Sequence, residues 1–367
     1  MKDEMVVHRK PHGARVELLV DGQSASWTDL PYYRMRLGRA VLSVGGVAGV
    51  FTKPEHRMKG YSSRVLRRCV KVMTADGLDV SLLFGIPNYY HKFGYRTALA
   101  DYEFAVAART LIDGPMKLAA RGLPKDRHAE ILPLYRQWLA ASSFGLERRS
   151  GLWRGFSRGL RGSVNVTVTA FYRGRRMVGY VACDQAADAV RVPELVALDA
   201  AARRSIFTWL ARQCREKLCE NIQFGLPHDD PASRLAREFG GTFTQVVKAN
   251  AGGMMRVLNL PSTLEALRPE LAALWSQSAL GSRRLSLVLK TDLGRGKLSL
   301  PGARPSAQVL RGQAKIPQDR LIQFISGYLR AADAADLPGV EIPRRLVPVL
   351  DALFPTRCNN VLSTNCF

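Results

Sequence analysis

The sequence predicts an α/β fold with mixed sheets (α+β). The fold should be divided into more than one domain. Short runs rich in Val, Leu and Ile that end at Gly, Pro or Asp alternate with stretches of helical apolar spacing, which is the pattern of strands and helices packed in layers. The chain has 367 residues, whereas one domain usually holds about 100 to 200. With 47% hydrophobic and 23% charged residues, the composition is typical of a folded soluble protein and not of a disordered or membrane-embedded one.

The first predicted module is a strand–helix–strand unit. Strands are predicted at 15–22, 39–53 and 78–86, and between the last two a helix is predicted over 62–75. Apolar side chains recur in that helix at helical spacing, and Gly77 supplies a C-terminal stop. The apolar positions are Val65, Leu66, Cys69, Val70 and Met73. The strands that flank the helix should therefore run parallel.

The rest of the chain is predicted to form a second and a third module. The mixture of Gly, Pro and charges at 115–127 is typical of a linker. The second module should contain helices at 129–141 and 203–218 and strands at 164–172 and 177–183. The third should contain helices at 262–275 and 318–330 and strands at 285–290, 296–300 and 306–311. These patterns place the module boundaries near residues 120 and 258.

The most informative motif is the turn between the strand at 39–53 and the following helix, Arg57-x-x-Gly60-x-Ser62. A diphosphate needs several convergent backbone N–H groups, and a turn that enters a helix supplies them at the positive end of the helix dipole. Gly60 leaves room for close approach, Arg57 and Lys59 add positive charge, and Ser62 is small. The segment is neither a P-loop nor a dinucleotide fingerprint. A plain strand-to-helix turn is the alternative.

The segment from Gly49 to Leu66 resembles motif A of the GNAT acetyltransferase superfamily, [Q/R]-x-x-G-x-[G/A] after V-x-x-x-P, with Ser62 at the last small position. Asn88–Tyr95 resembles motif B of that superfamily, Y-x-x-F-G-[FY]. The resemblance implies that acetyl-CoA is the cosubstrate and that Tyr90 is the general acid. It assigns cofactor contacts to Val50, Thr52, Arg57, Met58, Gly60 and Ser62. Tyr90 could instead be a packing aromatic, and Tyr89 is its nearest competitor.

The whole chain resembles the enhanced-intracellular-survival acetyltransferases, which have two GNAT modules followed by a domain like sterol carrier protein. That layout implies a catalytic module at 1–120 that is short at its N-terminal end, a second module at 121–257 and a C-terminal domain at 258–367. The second module is expected to be non-catalytic, because its helix entry at 200–206 has no glycine matching Gly60. In that family the carboxylate of a terminal Phe acts as the base, which corresponds here to Phe367.

The predicted function is transfer of an acetyl group to an amine of a small molecule or a lysine side chain. The alternative is a degenerate GNAT protein that binds acyl-CoA or a partner without catalysis. A cytoplasmic location is expected, because the charged first residues, 1–10, lack the apolar stretch of a secretory signal, and the longest weakly polar run, 40–51, is too short for a membrane span. No metal is expected, since the six cysteines contain no C-x-x-C pair.

The charge balance bears on partners. Lys and Arg number 54 against 31 Asp and Glu, a formal net charge of +23, and such an excess attracts phosphates or acidic surfaces. Aromatic residues are not interleaved with the basic ones as a base-stacking platform requires. A nucleic acid is therefore not the favoured partner, and no membrane partner is expected. Relatives assemble as hexamers, so a homo-oligomer is one expectation.

Overall fold

The structure is a computed structural model, described for residues 2–111, 114–149, 153, 155–156, 166–184, 189–304 and 306–365. Contacts divide the chain into two compact units. One comprises Met1–Leu99 with Lys248–Arg357, and the other comprises Ala100–Val247 with Cys358–Cys366. The predicted mixed-sheet α/β fold is confirmed, because both parallel and antiparallel strand pairs occur. The three-module division stays a prediction.

Strands and helices alternate along the described chain. The strands are β1 (Asp3–Lys10), β2 (Gly13–Val20), β3 (Gln23–Leu37), β4 (Ala40–Gly46), β5 (Ala48–Thr52), β6 (Val80–Gly85), β7 (Arg96–Thr97), β8 (Asp101–Ala107), β9 (Ala119–Gly122), β10 (Phe144–Leu146), β11 (Val166–Arg173), β12 (Arg176–Asp184), β13 (Val190–Ala197), β14 (Asn221–Phe224), β15 (Thr242–Val246), β16 (Gly252–Val257), β17 (Arg284–Thr291), β18 (Gly294–Leu300) and β19 (Val309–Lys315). The helices are α1 (Tyr61–Ala75), α2 (Leu132–Ala141), α3 (Ala200–Glu216), α4 (Pro231–Ala236), α5 (Leu260–Gln277), α6 (Gln318–Ile325), α7 (Ala331–Ala334) and α8 (Val347–Leu353).

The first unit contains the predicted strand–helix–strand arrangement. Its main sheet has the order β1-β2-β3-β4-β6-β16-β7, and β4 and β6 run parallel with α1 between them in sequence. The helix buries one apolar face against the sheet, with Tyr61, Val65, Leu66, Cys69, Val72 and Met73 inside. Gly77 has φ +72°, as its predicted role in stopping the helix requires. The predicted strand at 39–53 is divided at Val47 into β4 and β5.

The C-terminal part of the first unit packs α5 against the small antiparallel and parallel sheet β18-β17-β19. A buried ion pair, 2.5 Å between Arg357 and Glu270, ties the end of this part to α5. The predicted strand at 306–311 was placed too early, since β19 begins at Val309. The predicted helix at 318–330 was too long, because α6 ends at Ile325 and Gly327 then takes φ +71°.

The second unit is built on the sheet β15-β8-β14-β13-β12-β11-β9, with α3 packed on it. The predicted hairpin of β11 and β12 is present, although residues 164 and 165 of its first predicted strand lie outside the described residues. The predicted linker at 115–127 was wrong in part. It contains β9, which pairs with β11, and a 3-10 turn at Lys125–Ile131.

Candidate functional site

The site lies where two parallel strands of the first unit separate. β4 pairs with β6 from Val44 to Gly46, and the N–H of Val47 still donates to the carbonyl of Leu82 at 3.0 Å. β5 then turns to β3 instead, and the N–H of Lys53 donates to the carbonyl of Ala25 at 3.0 Å. Within the continuous stretch 2–111, β5 pairs with no strand other than β3. One edge of β5 is therefore open.

The open edge of β5 presents the backbone groups of Thr52. Backbone groups of successive residues in a strand alternate between its two edges. Because Lys53 bonds to β3, the adjacent Thr52 directs its N–H and C=O groups to the other side. Val50 lies two residues earlier in β5, next to a register shift in the pairing with β3. The carbonyl of Thr52 accepts a hydrogen bond from Nε of Arg57 at 3.3 Å. This bond connects the open edge of β5 with the turn that follows the strand.

The turn after β5 leaves the start of α1 uncapped. A 3-10 turn at Pro54–His56 is followed by Met58 at φ +61° and Gly60 at φ +75°. Gly60 is the N-cap residue of α1, and no side chain caps the helix in the part of the chain that the structure describes. A Cβ added at Gly60 would meet nothing within 4 Å. The free N–H groups of the first helical turn thus face open space, which is an arrangement suited to an anion.

Exposed cations border this corner. Arg57 and Lys59 are exposed, and neither forms an ion pair within the described residues. Between them, the side chain of Met58 is fully exposed. Two positive side chains therefore lie in the turn that leads to the positive end of the α1 dipole. Glu55, one turn earlier, is exposed, as expected for a solvated carboxylate.

Tyr90 lies at the start of a 3-10 turn, Tyr90–Phe93, just after β6. Its ring packs on the end of that strand, where a Cβ at Gly85 would lie 2.6 Å from Cδ2 of the tyrosine. Its hydroxyl has no hydrogen-bond partner among the described residues, although the side chain is largely buried. Burial, with a smaller contribution from Tyr89, raises the pKa of Tyr90. The phenol is therefore protonated at neutral pH and available as a donor.

Tyr89 has a different role from Tyr90. Its hydroxyl lies 2.7 Å from Oγ of Ser62, in the first turn of α1. Its ring contacts that of Tyr90 edge-on, with the centroids 5.1 Å apart. The bond fixes the short turn against the uncapped helix end. The sequence motifs did not predict this bond. The only related feature in the sequence is that Tyr89 and Tyr90 are adjacent.

The structure brings together most of the residues predicted from sequence. Val50 packs against the core cluster that contains Tyr90, and Ser62 is linked to the neighbouring Tyr89. The turn between β5 and α1 holds the other predicted cofactor contacts, Arg57, Met58 and Gly60, and Thr52 ends β5. Phe367, the predicted base, lies outside the described residues.

The corresponding helix of the second unit begins in a different way. Asp199 is the N-cap residue of α3, and its carboxylate accepts a hydrogen bond from the N–H of Ala202 at 2.7 Å. That bond, with the Arg173 guanidinium, lowers the pKa of Asp199. A carboxylate thus occupies the helix end where an anion would bind, and would repel one.

β13, the strand that precedes α3, carries one partner of a buried ion pair. β13 pairs with β14 only as far as Val192. Two residues later Glu194 forms a bidentate pair with Arg148, at 2.7 and 2.6 Å. Glu194 also accepts from Thr364 at 2.5 Å, and Arg148 donates to Asn365 at 2.7 Å. The C-terminal segment is therefore anchored inside the second unit.

Two other features, a metal-binding cluster and a membrane-spanning helix, are absent from the described residues. No group of three or more His, Cys, Asp or Glu side chains there could hold a metal ion. Among the helices so described, none combines the length and apolarity needed to cross a membrane.

The site thus combines an uncapped helix start, an open strand edge and a largely buried phenol, an arrangement that suits a diphosphate-bearing ligand. Residues 3–98 match the sequence model of the family described as the acetyltransferase (GNAT) domain. This segment contains every predicted site residue except Phe367.

Solved structures share the fold over nearly the whole chain. A GCN5-related N-acetyltransferase from Anabaena variabilis ATCC 29413 is 16% identical, with a TM-score of 0.75 over 96% of this chain and 89% of that one. A protein from Enterococcus faecalis V583, described as a probable N-acyltransferase, is 14% identical, with a TM-score of 0.76 over 97% and 89%. Eis1 from Mycobacterium abscessus is 16% identical, with a TM-score of 0.67 over 98% and 91%. Among curated proteins, no sequence matches this chain.

Proposed function

We propose that this protein is an N-acetyltransferase that moves an acetyl group from acetyl-CoA to an amine of a small molecule or a lysine side chain by direct attack. The observation that carries the proposal is the uncapped start of α1 at Gly60, which adjoins the open edge of β5. Acetyl-CoA would supply an acetyl group activated as a thioester.

The described residues fit such a cosubstrate. The N–H groups at the start of α1, with Arg57, Met58 and Ser62, would bind the diphosphate. The backbone of Val50 and Thr52 at the open edge would hydrogen-bond to the pantetheine arm and orient the thioester carbonyl. Holding both reactants in line lowers the barrier by removing translational and rotational freedom before the reaction.

Two proton transfers complete the reaction. Tyr90 would donate its phenolic proton to the sulfur as the thiolate leaves, a role supported by its raised pKa and free hydroxyl. An acceptor ammonium such as that of lysine has a pKa near 10.4 and must lose a proton before attack. The strand segment 43–51 contains no Asp or Glu. We assign the base to the C-terminal carboxylate of Phe367, on the resemblance given above.

We further propose the three-module division at 1–120, 121–257 and 258–367, with catalysis in the first module only. The cap at Asp199 and the ion pair beside β13 argue against a second coenzyme site. The C-terminal domain, like sterol carrier protein by resemblance, would act as a scaffold that delivers Phe367. A cytoplasmic location and a homo-oligomer, hexameric as in relatives, stay predictions.

The test is titration of acetyl-CoA by calorimetry, followed by thiol-release assays across a panel of small amines and lysine peptides. Binding and coenzyme A release with at least one amine are expected. Binding without turnover would favour the alternative, a degenerate GNAT protein without catalysis. An absence of binding would reject both. A variant without Phe367 should bind acetyl-CoA normally. Its pH–rate profile should lose the limb that reports titration of the general base.

A further inference from the structure

The three-stranded sheet β18-β17-β19 has one face covered by helix and one face open. On the covered face, a Cβ at Gly296 would meet Leu264 and Leu260 of α5, and Leu285, Leu287 and Leu289 are buried. Side chains alternate along each strand, so the other face carries a second set. That set, here called the basic sheet face, consists of Arg284, Ser286, Val288, Lys290, Arg295, Lys297, Ser299, Val309, Arg311, Gln313 and Lys315.

The strand register places these side chains in rows. Ser286 lies between Ser299 and Arg311 on its neighbouring strands. The next row contains Val288, Lys297 and Gln313, and the third contains Lys290, Arg295 and Lys315. A groove of about 710 Å³ runs over the first of these rows, and its lining includes Arg284, Lys297, Arg304 and Arg311 without any carboxylate.

The positive charge of this face is not neutralised. Of its cations, only Lys315 forms an ion pair within the described residues, with Glu341 at 2.7 Å. The other nearby carboxylate, Asp292, accepts a hydrogen bond from the N–H of Gln318 at 2.7 Å. Several cations held on one rigid sheet without counter-charges repel one another, so a polyanion bound there would relieve the repulsion.

We infer that the basic sheet face binds the phosphate backbone of double-stranded nucleic acid. Its side chains are Arg, Lys, Ser and Gln, which are the types that contact phosphates in such complexes. No aromatic side chain lies on it, so single-strand stacking is not expected. Its only apolar side chains are Val288 and Val309, which is little for the centre of a protein interface or for insertion into an anionic membrane. The sequence argument against nucleic acid concerned base stacking, which a backbone contact does not use.

The dimensions of the face suit this partner. From Arg284 to Lys290 the central strand spans roughly 20 Å at ~3.4 Å per residue, and adjacent strands lie ~4.8 Å apart. One strand of a duplex carries a phosphate about every 3.4 Å along the axis, so some six phosphates pass over this length. Contacts of this kind are independent of sequence and depend strongly on salt.

The test is fluorescence anisotropy of the full-length protein with a labelled random-sequence DNA duplex at several salt concentrations. The variant Lys297→Ser/Arg311→Ser removes two contacts and should lower the slope of log K against log salt by about 1.8, which corresponds to about 60-fold weaker binding at ~0.1 M salt. The matched control is Arg175→Ser/Arg176→Ser, two exposed arginines of the β11–β12 hairpin that form no ion pair within the described residues. It should bind almost as wild type does.

Three outcomes would overturn the inference. They are equal binding by both double variants, tighter binding to poly-glutamate than to the duplex, and tighter binding to phosphatidylcholine–phosphatidylglycerol vesicles. Ser286→Glu is a second variant, which places a carboxylate at the centre of the face without altering the buried side. It should weaken duplex binding in the same salt-dependent way, and unchanged binding would contradict the assignment.

Discussion

Replacement of Gly60 by Asp tests the proposed coenzyme site most directly. The start of α1 is free because Gly60 carries no side chain, whereas the start of α3 is capped by the carboxylate of Asp199. Gly60→Asp therefore gives α1 the kind of residue that α3 has. We expect a folded protein that no longer binds acetyl-CoA.

The magnitude follows from charge and geometry. A carboxylate about 4 Å from one phosphate charge costs about 4 kcal/mol at an effective dielectric constant near 20, which is about a thousandfold loss of affinity. Gly60 has φ +75°, and a left-handed conformation costs a residue with a side chain about 1–2 kcal/mol of stability. No clash is added, because nothing lies within 4 Å of the new Cβ. The effect on binding should thus far exceed the effect on folding.

Calorimetric titration with acetyl-CoA and urea unfolding would measure the two effects separately. Gly174→Asp is a matched control, because Gly174 also has a positive φ, +61°, and open space at its Cβ position. It should lose similar stability and keep full affinity. If Gly60→Asp bound acetyl-CoA within about threefold of wild type, well short of the loss expected from charge repulsion, the corner could not hold the diphosphate.

Three other expectations concern single side chains. Tyr90→Phe should lower kcat by about a hundredfold with little change in acetyl-CoA affinity, as loss of a general acid does; steady-state kinetics with an amine acceptor that the panel identifies would show this, and an unchanged kcat would exclude the role. Glu194→Gln should lower the free energy of unfolding by roughly 3–5 kcal/mol, because it leaves the buried Arg148 cation without an anionic partner. A loss below about 1 kcal/mol in urea unfolding would contradict this expectation. Burial raises the pKa of Asp230 from 3.8 to about 6. The folded state therefore keeps a proton that the unfolded chain releases. This group's contribution to stability, roughly 3 kcal/mol, should be present below about pH 4 and lost as the pH rises through 6. Thermal melts of the wild type at pH 4 and pH 7 should show this difference in stability, and melts of Asp230→Asn should lack it.

Local patterns predicted α1 well and its surroundings poorly. The helix was expected at 62–75 and spans Tyr61–Ala75, because its apolar spacing is strong. β3, the 15-residue strand Gln23–Leu37, was missed because the polar residues Ser26 and Thr28 occupy buried positions and break the apolar alternation. β16 pairs with β6 although some 170 residues separate them in sequence, and no local pattern signals such a partner.

The candidate site was predictable in its residues but not in its geometry. Motif spacing located Gly60 and Tyr90, since a turn and a short helix recur at fixed offsets. The division of the predicted strand at Val47 was not visible, because it depends on β5 pairing with β3 while β4 pairs with β6. The cap on α3 did have a signal: Asp199 precedes Ala200-Ala201-Ala202, a sequence typical of a capped helix start.

The contrast between α1 and α3 supports the proposal that the chain has one coenzyme site although it has two such helices. Both helices follow a strand that leaves its parallel partner after three paired residues. Next to α1 the separated strand keeps an open edge and the helix has free N–H groups. Next to α3 a carboxylate satisfies the helix end, and Glu194 of the preceding strand is bonded to Arg148 and Thr364, with Arg148 also bonded to Asn365. Because a buried, hydrogen-bonded ion pair is costly to open, removal of the Asp199 cap alone would not restore a second site.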